Sequence, residues 1–197
     1  MWLSFFLIKK FLPKLKYKEH CDKMKNNIKG NRKIKFSVVR YGNVLNSRGS
    51  IIPLLHKIGK NSEYKHYKIT DRRMTRFVMT LEQSVMLIEH ALNHGENGDI
   101  VIPKLISCKI IDMLTIFSEK YNKPIVDGKL RPGEKLLESL INETQSMRLE
   151  FGPDGYMYIK PPYKNIMKDN EVKDYNSTIN PLNKKQLQEY LSSLNLL

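Results

Sequence analysis

Arg40-Tyr41-Gly42-Asn43-Val44, followed at once by Asn46-Ser47-Arg48-Gly49-Ser50-Ile51-Ile52-Pro53, decides how this chain is read. Upstream of it Ile34, Phe36, Val38 and Val39 continue a β-branched and aromatic run, so the pattern predicts a strand over Ile34 to Val44. The strand ends in a turn rich in Asn, Ser and Gly and leads into an apolar helix start. In open α/β sheets that carboxyl edge is where ligands are held.

Working outward, Ile51 to Ile58 is helical by period, and Tyr64 to Thr70 alternates like an exposed strand before the turn Asp71-Arg72-Arg73. From Thr80 to Asn93, Leu81, Val85, Leu87, Ile88, Ala91 and Leu92 recur at helical spacing behind an N-cap Thr80, and Gly95 and Gly98 stop the run. Asp99 to Pro103 reads as a short buried strand, Ser107 to Tyr121 as an amphipathic helix, Pro124 to Asp127 as a strand and Gly133 to Ile141 as a helix. Tyr156 to Ile159 is a last strand. Pro161 to Pro181 is polar and rich in Asn and Lys, which predicts a mobile arm over residues 161–180, and residues 181–197 form a terminal helix with Leu187, Tyr190, Leu191 and Leu194 on one side. Strands alternating with helices indicate a mixed α/β domain.

The 197 residues, 41% of them hydrophobic, suffice for one domain with its own core. The formal charge of +14 points first to nucleic acid, but its distribution argues against that. Residues 1–35 hold eleven Lys/Arg against Glu19 and Asp22, so the other 162 residues carry only +5, and no helix-turn-helix, zinc-finger or RNA-binding signature accompanies the basic head. The run Trp2 to Ile8 is about a third of the roughly twenty residues a bilayer requires, which argues against a span and against membrane contact by this segment. Cys21 and Cys108 are the only cysteines and match neither a disulfide framework nor a metal site, which favours a reducing, cytoplasmic location. His90 and His94 stand four apart near a helix end, and with no third ligand beside them they read as a solvated last turn rather than a metal site.

A phosphate-bearing ligand at the Asn43 edge needs fixed guanidinium groups, and two later stretches offer them, Ile69-Thr70-Asp71-Arg72-Arg73-Met74-Thr75-Arg76-Phe77 and Arg131-Pro132-Gly133-Glu134-Lys135, with Val101 to Lys104 falling between them in order. Each has a plain reading as well. Gly42-Asn43 is also a simple turn, Ser50 also an N-cap, and Arg131 to Lys135 also a helix start.

In this order and spacing, RYGNV, ITDRRMTRF and RPGEK resemble the C-terminal portion of the extended short-chain dehydrogenase/reductases of polysaccharide biosynthesis, the CapD-like UDP-N-acetylglucosamine 4,6-dehydratases. The resemblance covers about Phe36 to Ile159. It implies an incomplete Rossmann-type α/β fold, mainly the substrate-binding part (residues 34–160) with the last strands of a parallel sheet; residues 1–33, a basic N-terminal segment, are expected to lie outside the resemblance. It also implies a UDP-sugar substrate, contacted by Asn43, Arg48, Ser50, Arg76, Arg131 and Glu134, and NADP, with Tyr41 and Gly42 lining its nicotinamide pocket. In the family a hydride moves from sugar C4 to NADP, water is lost across C5 and C6, and the hydride returns to C6.

The family's dinucleotide and catalytic motifs precede RYGN. The ten glycines include no GxGxxG, and Tyr64/Lys68 and Tyr156/Lys160 match the spacing of the catalytic Tyr and Lys only in strand-like segments, where i and i+4 stand about 13 Å apart. No catalytic residue is therefore assigned. The expectation is a substrate-binding half that is inactive alone, completed by a full-length homologue or a chain supplying the dinucleotide-binding half. The alternatives are a non-catalytic UDP-sugar-binding subunit, an NAD-dependent nucleotide-sugar epimerase, and a basic module acting through residues 1–35.

Overall fold

The computed structural model describes residues 35–152, 155–164, 167 and 174–197, together with the backbone of residues 5–8. Along the chain, β1 (Phe5–Ile8) is followed by β2 (Ser37–Arg40), β3 (Asn43–Val44), helix α1 (Ile51–Lys60), β4 (Tyr67–Ile69), β5 (Thr75–Met79), α2 (Leu81–His94), β6 (Ile100–Ile102), β7 (Ile106–Lys109) and α3 (Ile110–Tyr121). Then come β8 (Ile125–Asp127), β9 (Ser139–Ile141), the single turn α4 (Glu143–Ser146), β10 (Leu149–Phe151), β11 (Met157–Ile159), β12 (Tyr175–Asn176) and α5 (Lys184–Ser193).

The principal sheet has the order β1-β2-β6-β11-β10. Strands β2 and β6 are parallel, with Val38 opposite Ile100 and Val39 opposite Val101, while the other pairs are antiparallel. Side-chain alternation sorts its two faces: Ile100, Ile102, Met157 and Ile159 enter one core with Phe77, Leu140, Ile141 and Leu149. Val101, Val39 and Tyr158 point the other way, onto Leu87 and Ala91 of α2. A second sheet, β3-β5-β7, pairs β3 parallel and β7 antiparallel to β5. A third core, built on Ile52, Leu55, Tyr67, Met113, Phe117, Leu187 and Leu191, joins α1, α3 and α5 to β4.

The expected single strand over Ile34 to Val44 is two strands in two sheets. At Gly42 an added Cβ would lie 2.7 Å from the Phe77 Cβ and 2.8 Å from its carbonyl oxygen, so only a residue without a side chain lets the chain cross onto β5. Thr80 does cap α2, accepting from the Gln83 amide while the Gln83 side chain accepts from the Thr80 amide.

Three other expectations change. Ser107 lies in β7, and α3 begins only at Ile110, because Thr75 to Val78 hold Ile106 to Lys109 as an antiparallel partner. The helix expected over Gly133 to Ile141 is a turn and a strand: Gly133 has φ +82, and β9 pairs with β12, Tyr175 opposite Ile141. The arm expected over 161–180 is fastened from Asp174 onward, since Ser177 is fully buried and the Tyr175 hydroxyl receives the Leu105 amide at 2.8 Å. His90 is also not solvated. Its Nε2 stands 2.5 Å from the Tyr158 hydroxyl and its ring stacks on Tyr156, 3.8 Å between centroids.

Candidate functional site

Asn43 opens β3, Arg76 sits in β5, and Glu138 ends the loop that leads into β9. The Asn43 amide donates to the Phe77 carbonyl and to Glu138 Oε2, both at 3.1 Å. Arg76 is 6% exposed; its Nη1 donates to the Thr75 carbonyl at 2.7 Å and the Leu136 carbonyl at 3.2 Å, and its Nη2 to the Lys135 carbonyl at 2.7 Å. Its Nε faces Glu138 Oε1 across 3.6 Å. The buried charge of one residue thus answers that of the other, while the guanidinium fork holds the backbone just after Arg131-Pro132-Gly133-Glu134.

Burial pushes the Glu138 carboxyl above its usual range, and Arg76, the Asn43 amide, the Phe77 backbone amide and Lys135 pull against that rise. Ser177 completes the support from below: its hydroxyl accepts from the Glu138 amide at 3.0 Å, and its own amide donates to the Glu138 carbonyl at 2.8 Å.

The Arg131 turn closes on itself. The Glu134 amide donates to the Arg131 carbonyl at 3.0 Å and the Arg131 amide to Glu134 Oε2 at 3.2 Å. Arg131 is exposed and Glu134 half-buried. At the other turn, Asn46 (φ 58) and Gly49 (φ +76) take left-handed conformations, which leaves Arg48 exposed. Ser50 stands at the N-cap position of α1, yet its Oγ makes no capping bond and is buried without a hydrogen-bond partner among the described residues.

Of the residues expected at a site, the structure joins Asn43 to Arg76 through Glu138. Arg48 and Ser50 belong to a separate turn, and Arg131 and Glu134 to the rim held by Arg76. Three of the five N–H donors of Arg76 go to carbonyls and its Nε faces Glu138, so most of its hydrogen-bonding capacity is directed at the protein itself. Glu138 escaped the sequence reading although it stands three residues after Lys135. Nothing about an isolated glutamate shows that it will be buried against an arginine 62 positions away.

Tyr41 packs beside Val39, Leu87 and Ala91, and Gly42 is consumed by its contact with Phe77. The chain contains no GxGxxG, the turn that seats a dinucleotide pyrophosphate at a helix N-terminus. Among the described residues no group of three or more His, Cys, Asp or Glu is placed to hold a metal ion, and no helix is long and apolar enough to cross a membrane.

Fold and site together define a partial short-chain dehydrogenase/reductase of the extended, nucleotide-sugar type. The chain belongs to the polysaccharide biosynthesis protein family, which it matches over residues 14–160, a span that begins inside the basic N-terminal segment. It is 36% identical to a UDP-N-acetylglucosamine 4,6-dehydratase (inverting) of Campylobacter jejuni, across 85% of this chain and 54% of that protein. It is likewise 36% identical to a UDP-glucose 4-epimerase of Rickettsia canadensis, across 80% of this chain and 49% of that one. Among solved structures, Pen from Bacillus thuringiensis superposes with a TM-score of 0.72 at 31% identity, covering 83% of this chain and 51% of Pen. The chain therefore spans about half the length of the curated relatives it matches.

Proposed function

We propose that these residues form the nucleotide-sugar-binding part of a UDP-N-acetylglucosamine 4,6-dehydratase acting in polysaccharide biosynthesis in the cytoplasm. The observation that supports this most is that Asn43 and Arg76, from two separated motifs, meet at buried Glu138, while Arg76 also holds the Lys135 carbonyl at the end of the third motif, the Arg131 turn. In this reading Arg131 and Arg48 are the exposed cations that meet the diphosphate, Glu134 accepts from ribose hydroxyls, and Asn43 orients the ligand beside Gly42. Arg76 acts on the phosphates from behind, by fixing the turn and by its charge. NADP and the catalytic groups come from sequence beyond these 197 residues, and this chain alone does not turn over substrate.

Calorimetry with UDP-N-acetylglucosamine tests the reading. The parent should bind, and Arg131→Ala should weaken binding about 10- to 100-fold, as expected for the loss of a charge-assisted hydrogen bond. Because Arg131 is exposed, the melting temperature should not move. Absence of binding by the parent would overturn the proposal.

A second reading, 4-epimerisation, draws on the likeness to the Rickettsia canadensis protein. The product distinguishes the two once an NADP-binding half is supplied: a dehydratase lowers the sugar's mass by one water, and an epimerase leaves it unchanged.

A further inference from the structure

Glu138 touches two residues of the nucleotide-sugar site, Asn43 and Arg76, and does so from a buried position, 8% exposed. Its Oε2 accepts from the Asn43 amide at 3.1 Å, and its Oε1 stands 3.6 Å from Arg76 Nε. Both protons of the Asn43 amide are thereby placed, one on Glu138 and one on the Phe77 carbonyl, so the amide has a single attitude. The backbone of Glu138 is fixed as well, because fully buried Ser177 bonds to its amide and its carbonyl. The side chain is held at both ends.

A nucleotide sugar brings two negative charges to this region. As a diester of pyrophosphate it has no terminal phosphate to titrate, so it keeps both in neutral solution. The buried carboxylate can give up its charge instead. An anion approaching Arg76 disfavours a second anion already facing that cation, which raises the affinity of the carboxylate for a proton. The contact between Glu138 and Arg76 is one of charge rather than a hydrogen bond, since 3.6 Å lies beyond hydrogen-bond reach, and protonation ends it without breaking a bond. Oε2 goes on accepting from Asn43, so the amide keeps its attitude while the guanidinium charge is left to the ligand.

The other charged and titratable groups around the carboxyl do not take this part. Arg76 faces it from β5 and Lys135 from its own loop, and Cys108 lies near it in β7, where Asp112 of α3 also acts on the thiol. Burial above all pushes the Cys108 thiol up to about 12, so it stays protonated. An incoming anion makes cations and a thiol hold their protons more firmly still, whereas it turns a carboxylate into the neutral acid. Burial already pushes the Glu138 carboxyl above its usual range, toward the state that a bound anion favours.

We propose that Glu138 is a positioning residue of the nucleotide-sugar site, which orients Asn43 and balances the charge of Arg76 in the free protein and takes up one proton from solvent when the diphosphate binds. This rests on the nucleotide-sugar reading above. Calorimetry of UDP-N-acetylglucosamine binding from pH 5 to pH 8, in pairs of non-phosphate buffers that differ in ionisation enthalpy, tests it. The parent should take up protons, and its Kd should rise with pH, by up to about tenfold per pH unit where Glu138 is ionised in the free protein and protonated in the complex. Glu138→Gln, neutral throughout, should bind with a nearly constant Kd and no uptake. A purely structural role would weaken Glu138→Gln at every pH and leave its proton uptake like that of the parent. Carboxyl-13C-glutamate NMR reads the same proton in the unsubstituted chain: at pH 7 a glutamate resonance should move toward its protonated position as ligand is added. Binding by the parent without proton uptake, uptake retained in Glu138→Gln, or glutamate resonances unmoved by ligand would overturn the proposal alone. Absence of binding by the parent would overturn the nucleotide-sugar reading and this proposal with it.

Discussion

Arg76 and Glu138 face each other across 3.6 Å with side chains only 7% and 10% exposed, and between them they tie β5 to the loop carrying Arg131 and Glu134. Removing the cation leaves a buried carboxylate without its counter-charge and takes a donor from three carbonyls, of which those of Thr75 and Leu136 keep the Ser177 hydroxyl and the Thr75 amide. Arg76→Ala should therefore lose about 3–5 kcal/mol in chemical denaturation, and Arg76→Lys much of it, because one ammonium cannot span the Thr75, Lys135 and Leu136 carbonyls as the fork does. Lost ligand binding in Arg76→Ala counts as evidence of contact only if folding persists, which is why Arg131→Ala is the cleaner probe.

The raised carboxyl of Glu138 fixes the sign of a pH effect. A folded-state pKa above the unfolded one means that the native state holds the proton more tightly, so Glu138's contribution is fully present below the ordinary glutamate value and is lost as pH rises through the folded value. Relative to Glu138→Gln, the parent should be most stable at the acidic end and lose ground as pH increases. Thermal melts of both proteins from pH 4 to 8 check this, and a difference that grows with pH would show the Arg76 pairing to outweigh burial.

At the far end of β6, Asp99 is fully buried and its Oδ2 accepts from the Glu96 amide at 2.9 Å and from Lys160 Nζ at 3.0 Å. Burial alone would depress the Lys160 ammonium, but Asp99 and Glu96 outweigh it and hold it above its usual value. Lys160→Met should cost about 3–5 kcal/mol by stranding Asp99, whereas the double variant Lys160→Met/Asp99→Asn should recover part of the loss. A denaturant titration of the three proteins measures it.

Gly42→Ala places a Cβ against the Phe77 backbone and Cβ rather than against a mobile side-chain end. The expected cost is about 1–3 kcal/mol, with Asn43 displaced from Glu138. Unchanged stability would mean that β3 shifts freely along β5.

Helix α2 was legible because its signals are local: Thr80 and Gln83 cap each other and the apolar period is long. The segment after Arg131 was not, because its Leu and Ile spacing suits a helix as well as a strand. The choice fell to the Arg76 guanidinium, which holds the Lys135 and Leu136 carbonyls outside any helix, and to pairing with residues 175 and 176. Likewise His90 looked like a surface histidine until Tyr156 and Tyr158 closed over it.

The sequence by itself determined the mixed α/β class, the nucleotide-sugar family and the three motif segments, since each rests on residues close together in the chain. Only the tertiary structure decided that Asn43 and Arg76 meet through Glu138, that Gly42 is needed to switch the chain between sheets, and that Tyr156 and Tyr158 enclose His90. Those are long-range outcomes of burial. A buried charge takes its partner from whatever the fold brings within a few ångströms, and that partner leaves no mark on the local pattern of residues around it.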